Sequence, residues 1–364
     1  MTPQQQKTTA LAIAALGLIL TLAGPLIPGG ERLERNSPPQ SGHVTELTGG
    51  SNPLDGSRAP LFAGTSTGEI WRYQNDFWQP LPLDFGGHPI TRLIGDPTQD
   101  PVGTGGGLYQ APAGIRFSQR VAALMPTPDI PSTRLLIGND HGIHLLSPAG
   151  NTVVNAGLNV YRFIAQTVDG QRYLHAGTIG AGVLSTTPDA ISRDWPANNQ
   201  GLPEQAYVYS LAVTQGGKLI AGTKTGLFWQ SQPGTSWQLL DTEHGAERIL
   251  SLYLAPATAS GSQRLWIGTD SQLLRTELLE TATELHPRAP AASMRPPEDG
   301  LLYGISAIRP APKGVSISAG AVYQWGPVRL PGWHWISISG ILLLLIAGWM
   351  LPGRTDPSTG ETAS

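Results

Sequence analysis

The apolar residues of this chain follow two different patterns. Residues 8–27 (TTALAIAALGLILTLAGPLI) carry no charged side chain, and residues 333–351 (WHWISISGILLLLIAGWML) have only His334 as a titratable group. A helix rises about 1.5 Å per residue, so roughly 20 residues cross the roughly 30 Å hydrocarbon core of a bilayer. Both runs are therefore predicted to be transmembrane helices. Trp333 and Trp335 at one end of the second run and Trp349 at the other suit the headgroup preference of tryptophan. The first run has a polar start with Lys7 and a small-residue stretch, Thr21-Leu22-Ala23, of cleavage-site character. It reads either as a retained anchor or as a signal peptide. Gly24-Pro25 is expected to kink or end that helix.

Between these runs the pattern is short and repetitive. An apolar pair, a small or apolar residue and then Gly-Thr or Gly-Asn recur as Leu61-Phe62-Ala63-Gly64-Thr65, Leu135-Leu136-Ile137-Gly138-Asn139, Leu174-His175-Ala176-Gly177-Thr178, Leu219-Ile220-Ala221-Gly222-Thr223 and Leu265-Trp266-Ile267-Gly268-Thr269. Weaker copies are Val102-Gly103-Thr104 and Val315-Ser316-Ile317-Ser318-Ala319-Gly320. A turn and a short apolar strand follow each. A second element, apolar at its first and fourth positions, stands 13 to 20 residues before each glycine. Its seven copies start at Val44, Ile90, Val121, Val160, Val208, Ile249 and Ile305, and their fourth positions are Leu47, Leu93, Leu124, Phe163, Leu211, Leu252 and Ile308. The units average just over forty residues, the size of a four-stranded propeller blade.

One such meander cannot bury both of its apolar faces alone. Stacked around an axis, each face is covered by a neighbour, and closing the ring removes the long edges. The predicted fold is all-β: a seven-bladed β-propeller over residues 44–330, flanked by N- and C-terminal transmembrane helices. Residues 28–43 are expected to be a tether, with residues 32–42 polar and proline-containing, and residues 352–364 a disordered tail. The repeated glycines supply turn dihedrals, and the Thr or Asn beside each can bond the local backbone. Ring closure brings the two ends of the domain together, so the two helices are expected to pack through the small residues Ala10, Ala14, Gly17 and Gly340.

Composition narrows the function classes. Charged residues are only 13% of the 364, while Gly (45) and Pro (32) are plentiful, as expected of many turns and short strands. The net charge of −3 gives no basic footprint for nucleic acid. The absence of cysteine excludes disulfides, Cys-ligated zinc and thiol nucleophiles. Lys7 and Arg354 lie beyond the outer ends of the two apolar runs, and Arg32, Arg35 and Arg329 flank the inner ends, so the positive-inside count is weak and slightly contrary. The signal-like start and the Lys-poor, Thr/Gln/Gly-rich middle point instead to an extracytoplasmic domain.

Leu265-Trp-Ile-Gly-Thr-Asp270 resembles the repeat of two-component-regulator propellers. Gln232-Pro-Gly-Thr-Ser-Trp237 resembles a degenerate Asp-box turn, keeping Gly234, Ser236 and Trp237, while Gln230 and Gln232 replace its Ser and Asp. Residues 194–203 (DWPANNQGLP) resemble the segment that follows such a box. The resemblance covers roughly residues 44–330 and implies a propeller of the sialidase-like superfamily, which also holds photosystem II stability/assembly factors, sortilin-type receptors and sensor ectodomains. It is specific for fold and poorly specific for function.

Sialidase-type catalysis, as the resemblance describes it, needs three arginines around a carboxylate, a Tyr/Glu nucleophile pair and an acid. At the third position of the inner strands stand Glu46, Arg92, Ala123, Arg162, Ser210, Ser251 and Ala307, with Arg120, Arg248 and Arg309 close by. Tyr161 and Tyr209 are near, but no carboxylate other than Glu46 aligns with them, so no catalytic residue is assigned. Glu46 and Arg92 are expected to form an ion pair between adjacent blades. Glu46, Arg92 and Arg162 are also the candidate ligand- or partner-binding residues of a polar, mildly cationic channel mouth. His141 and His144 lack a third ligand and read as solvated or packed side chains, so no metal is expected. Gly103-Thr-Gly-Gly-Gly107 lacks the Lys and helix of a phosphate loop and reads as a blade turn. No cofactor is implied. The proline-rich residues 282–299 show little strand pattern and are the second candidate for partner contact.

The expected function is that of a non-catalytic, membrane-anchored protein-interaction or assembly/stability scaffold with protein partners in or near the bilayer. An extracytoplasmic sensor or carbohydrate-binding ectodomain is the alternative, and a divergent glycoside hydrolase is the third reading.

Overall fold

The computed structural model describes the chain apart from residues 1, 40–41, 52–58, 111–113, 131–134, 148–149, 244–246, 258–260, 297–302, 313, 331 and 352–364. It divides into two compact units, residues 33–325 and residues 1–32 with 326–364.

The larger unit is a propeller of seven antiparallel sheets. Blade 1 runs outward from an inner strand Val44–Gly49 through Leu61–Thr65 and Ile70–Gln74 to Phe77–Pro80. The inner strands of blades 2 to 6 are Ile90–Leu93, Ala123–Pro126, Val160–Val168, Val208–Val213 and Ile249–Leu254. Blade 4 has three strands, and its outer edge is capped by a single bridge from Leu184 to Ala197. Blade 7 builds inner to outer from Ala307–Ala311, Gly314–Ser318 and Val322–Arg329, and its fourth strand is Pro28–Arg35 from the other end of the chain. Residues 28–35 are therefore a closing strand and not part of a tether. Asn36 N–H donates to Val322 O at 2.9 Å, and Leu33 packs on the cluster around Trp325. At the axis the ring shuts where Val44 N–H donates to Gly320 O at 2.8 Å.

A regular strand alternates its side chains between faces, so first and fourth residues would point opposite ways. In blades 1, 2, 4, 5 and 6 a β-bulge after the first residue resets the phase. Val44 pairs with Thr65 and Glu46 already with Gly64, so Val44 and Leu47 share one face and Glu46 takes the other. In blades 3 and 7 the N–H groups of Ala122 and Ser306 reach Gly138 O and Ser318 O and give the same offset. The first and fourth residues of every blade thus pack on the blade before it. Ile90 and Leu93 join Phe62 and Ile70, and Ile305 and Ile308 join Trp266 and Leu273. Seven apolar clusters result among the described residues, one per blade boundary.

The repeat glycine is explained by the same boundary. Gly64, Gly103, Gly138, Gly177, Gly222 and Gly268 face Ile90, Val121, Val160, Val208, Ile249 and Ile305, each the first residue of the next blade. A methyl group at any of the six would stand 2.4–2.8 Å from that branched side chain. The seventh copy differs from its sequence reading. Ser318, not Gly320, stands opposite Ala307, and its Oγ donates to Val44 O at 2.9 Å. The Thr after five of these glycines is buried and closes the hairpin, as where Thr223 Oγ1 donates to Gly226 O at 2.8 Å; Asn139 follows Gly138 and is buried too. Thr104 does the same to Gly107 O, which makes the glycine-rich stretch a blade turn.

Residues 282–299 show little strand pattern in the sequence, and here the structure corrects that reading. Leu285–Pro287 and Ala292–Met294 both pair with the long strand Leu273–Glu280, so this insertion supplies a split outer strand to blade 6. The eight-residue strand offers more edge than either three-residue partner covers. Residues 297–299 of that candidate loop, and the tail 352–364, lie outside the described residues.

The smaller unit is an antiparallel pair of helices, α1 (Pro3–Ala23) and α2 (Trp333–Met350), both long and apolar enough to cross a membrane. Thr2 and Gln5 form a capping box at the start of α1, and Gly24-Pro25 ends it in a single 3-10 turn. Ala10, Gly17 and Gly24 recur every seven residues and are buried, as are Gly340 and Ala347 on the partner helix. A Cβ at Gly17 would lie 2.7 Å from Gly340 O, which is the close backbone approach that small residues permit. Leu11, Leu18, Leu22, Ile341, Leu345 and Trp349 point outward. Such large exposed apolar side chains suit lipid contact.

Candidate functional site

The bulge that turns the first and fourth residues toward the preceding blade turns the third toward the axis. All seven third-position residues (Glu46, Arg92, Ala123, Arg162, Ser210, Ser251 and Ala307) line one axial cavity of about 450 Å³. Arg309, two residues beyond Ala307 on the same strand face, lines it as well.

Glu46 sits at the centre of this cavity wall with its side chain only 3% exposed. Its Oε2 accepts from Arg92 Nη1 at 3.1 Å and lies 3.7 Å from Arg162 Nη1, and its Oε1 lies 3.6 Å from Arg309 Nη2. One carboxylate from blade 1 is thus faced by guanidinium groups from blades 2, 4 and 7. Arg92 uses three of the four N–H groups on its two terminal nitrogens. Nη1 also donates to Thr91 O at 2.6 Å, and Nη2 donates to Tyr161 O at 3.0 Å, across the channel in blade 4. Its Nε is buried and without a hydrogen-bond partner among the described residues. Burial, reinforced by neighbouring Arg162, pushes Arg92 down to about 10. Burial lowers Arg309 too, although Glu46 opposes the shift.

Arg92 and Arg162 also border a second cavity of about 360 Å³ with Thr45, Tyr161, Arg248, Leu250, Asp270, Tyr303 and Ser306. This is the mouth at the start of the inner strands. Arg92 and Arg162 lie over the Tyr161 ring at 5.1 and 5.7 Å. Burial pushes the Tyr161 phenol up, but the two arginines outweigh it and hold the group below its ordinary value. Tyr161 meets Tyr209 edge to face at 6.0 Å, Arg248 lies 6.0 Å over Tyr209, and Tyr303 stacks on His43 at 4.5 Å. Arg248 is neutralised locally by Asp270 at 3.3 Å.

The three residues singled out in the sequence, Glu46, Arg92 and Arg162, are brought together, and the expected Glu46–Arg92 pair forms between adjacent blades. Glu46, however, is enclosed by arginines and is not an exposed mouth residue, because a carboxylate in this wall is favourable only when ringed by cations. Arg309, Arg248, Tyr161, Tyr209 and Tyr303 complete the surroundings. Arg309 was legible by the two-residue period from Ala307. Tyr303 and Asp270 sit in connections, where no period exists to mark them. Arg120 is exposed and lines neither cavity.

Among the described residues no Asp or Glu oxygen is hydrogen-bonded to the hydroxyl of Tyr161 or Tyr209, and no group of three His, Cys, Asp or Glu is placed to hold a metal ion. His144 is buried between Asn139 (3.1 Å) and Asn151 (3.1 Å), whereas His141 lies on an exposed turn beside Asp140. The Asp-box-like turn is a packing device. Gly234 N–H donates to Asn198 Oδ1 at 3.2 Å, Gln230 shares two bonds with the same amide, and Trp237 Nε1–H donates to Asn198 O at 2.7 Å.

No protein-family model matches the chain, and no curated protein matches it. Solved structures do. An extracellular domain from B. thetaiotaomicron, named for a hybrid two-component system, BT4673, superposes with a TM-score of 0.58 at 17% identity over 82% of this chain and 40% of that one. The corresponding domain of BT3049 superposes with a TM-score of 0.51 at 11% identity over 82% of this chain and 42% of that one. This chain therefore spans about two fifths of the length of those structures, and at such identities the likeness is one of fold: a seven-bladed β-propeller.

Proposed function

We propose that this protein is a non-catalytic, membrane-anchored binding module whose propeller lies on the extracytoplasmic side and presents its axial face to a protein partner in or near the membrane. The observation that carries the reading is the charge of the axial wall. Three guanidinium groups face one carboxylate in a cavity of about 450 Å³, with no acid–base pair or metal-ligand set placed around it among the described residues. Such a wall suits the recognition of negative charge. Two apolar helices at the ends of the chain keep the propeller at a bilayer, where effective concentration favours a membrane partner.

The test is purification of the full chain from its own membrane in mild detergent, beside the double variant Arg162→Ala/Arg309→Ala. A stoichiometric membrane protein that co-purifies with the first and is lost from the second supports the reading. Recovery of the protein alone, from gentle extraction with the fold intact, counts against it. Sidedness is tested separately. The chain has no cysteine, so a single Leu239→Cys, 60% exposed, should react with a membrane-impermeant maleimide on intact cells.

A second reading, an extracytoplasmic sensor or carbohydrate-binding ectodomain, is favoured by the tyrosine-lined mouth and by the extracellular origin of the structural relatives. It expects a small ligand in place of a stoichiometric subunit.

A further inference from the structure

We propose that the axial cavity is a receiving site for a carboxylate, which Arg162 and Arg309 take with their guanidinium groups, and that Glu46 is a built-in competitor for those same arginines. This rests on the binding role proposed above and specifies its chemistry.

The first argument is supply and demand of charge. The cavity wall holds three arginines and one acid, an excess of two positive charges. Arg92 spends three of its four terminal N–H groups on Glu46, Thr91 O and Tyr161 O. Arg162 donates no hydrogen bond among the described residues, and its nearest carboxylate oxygen is 3.7 Å away. Arg309 gives Nη1 to Ile308 O, while Nη2 stays 3.6 Å from Glu46. Both distances exceed a hydrogen bond, so these two forks are attracted to Glu46 without being satisfied by it. Their side chains are 22% and 32% exposed against 3% for Glu46, so the unused donors are on the accessible side.

The second argument is the chemistry of the remaining wall. Ser251 Oγ donates to Ile305 O at 2.7 Å and Ser306 Oγ to Thr45 O at 3.2 Å, so these hydroxyl protons are spent on inter-blade backbone. Ser210 Oγ reaches Ile249 O at 3.5 Å, and Thr48 adds a hydroxyl to the wall. The charged donors left over are planar forks, which match a planar carboxylate edge to edge. Space is sufficient: at roughly 30 Å³ per water the cavity holds about fifteen, enough to admit a side-chain carboxylate or a small di-acid. Burial is the main cause that lowers Arg92 and Arg309, and repulsion from Arg162 adds to it in both, a repulsion that an incoming anion would relieve.

Isothermal titration calorimetry on the detergent-solubilised full chain at low ionic strength tests this with three probes: succinate, a hexaglutamate peptide and inorganic phosphate. At least one carboxylate probe should bind, and more tightly than phosphate. Arg162→Gln and Arg309→Gln should each weaken it at least tenfold, and Glu46→Gln should tighten it at least threefold. A purely structural role for Glu46 would produce no gain. Succinate binding as tightly as the peptide identifies a free small carboxylate; a tighter peptide identifies an acidic polypeptide segment. Absence of heat with both carboxylate probes, unchanged affinity in the arginine variants, a preference for phosphate, or weaker binding in a folded Glu46→Gln protein would overturn the inference. If Glu46→Gln does not fold, the two arginine variants decide alone. A membrane partner that still co-purifies with Arg162→Gln/Arg309→Gln would sink the carboxylate site and the axial face as the docking surface, and leave only a membrane-anchored scaffold that uses another face.

Discussion

Gly138 of blade 3 lies directly against Val160 of blade 4: a methyl group on Gly138 would stand 2.6 Å from Val160 Cγ1. Six blade boundaries repeat this contact between a backbone without a side chain and a branched one. It lets each inner strand nest in its predecessor and brings the fourth-position residue onto the same apolar cluster. Gly138→Ala is therefore expected to destabilise the propeller by about 1–3 kcal/mol through overpacking. Val160→Ala alone should also destabilise, by leaving a cavity. The double variant should recover part of the loss, as the sign of the coupling in a double-mutant cycle of chemical-denaturation midpoints will show.

Glu46 binds blade 1 to blades 2, 4 and 7 at the axis. Glu46→Ala leaves three guanidinium groups without their carboxylate and is expected to cost about 3–5 kcal/mol. Glu46→Gln keeps the shape and should cost less. Thermal melts of the two variants in the same detergent give the comparison, and equal midpoints would contradict the hub role.

His175 is buried between blades 4 and 5. Its Nδ1 lies 2.8 Å from Ser185 Oγ and its Nε2 2.9 Å from Gln166 Oε1. Burial pushes it down to about 4, so the folded protein holds it neutral. In the unfolded chain it titrates near 6.5. The stability gained from a neutral His175 is complete above about pH 6.5 and falls as the pH drops from there toward 4. The loss reaches about 3 kcal/mol. Denaturation midpoints between pH 7 and 4 should fall accordingly, and His175→Gln should flatten that part of the profile.

Gly17 and Gly340 meet backbone to backbone in the helical pair, and Ser337 Oγ donates to Thr21 O at 3.2 Å one turn away. Ala10→Cys with Ala347→Cys, where a side chain is already accommodated, should form an intramolecular disulfide under mild oxidation, read as a mobility change on non-reducing gels. Gly340→Leu should separate the helices and abolish cross-linking between Ala10→Cys and Ala347→Cys.

Much of the architecture was legible because a blade is written seven times. The first and fourth positions marked the inter-blade faces, and the third positions marked the axis, before any coordinates. The rule behind the spacing was not visible. A three-residue spacing contradicts a flat strand, and the bulge that resolves it leaves no residue type in common: Thr45, Thr91, Tyr161, Tyr209 and Leu250 occupy the extra position. The split outer strand of blade 6 escaped notice because three-residue segments rich in proline carry too little alternation to register.

Local, repeated chemistry belongs to the sequence alone: the strand modules, their glycines, the apolar ends and the absence of thiol chemistry. Tertiary structure decided the rest. Pro28–Arg35 reads as a polar tether until its partner Val322–Arg329, at the far end of the chain, gives its backbone groups a ladder. Glu46, Arg92, Arg162 and Arg309 come from four separate blades and acquire a common site only when the ring closes. Periodicity places a side chain on a face, but which charges then meet across an axis depends on angular positions that only the closed circle sets.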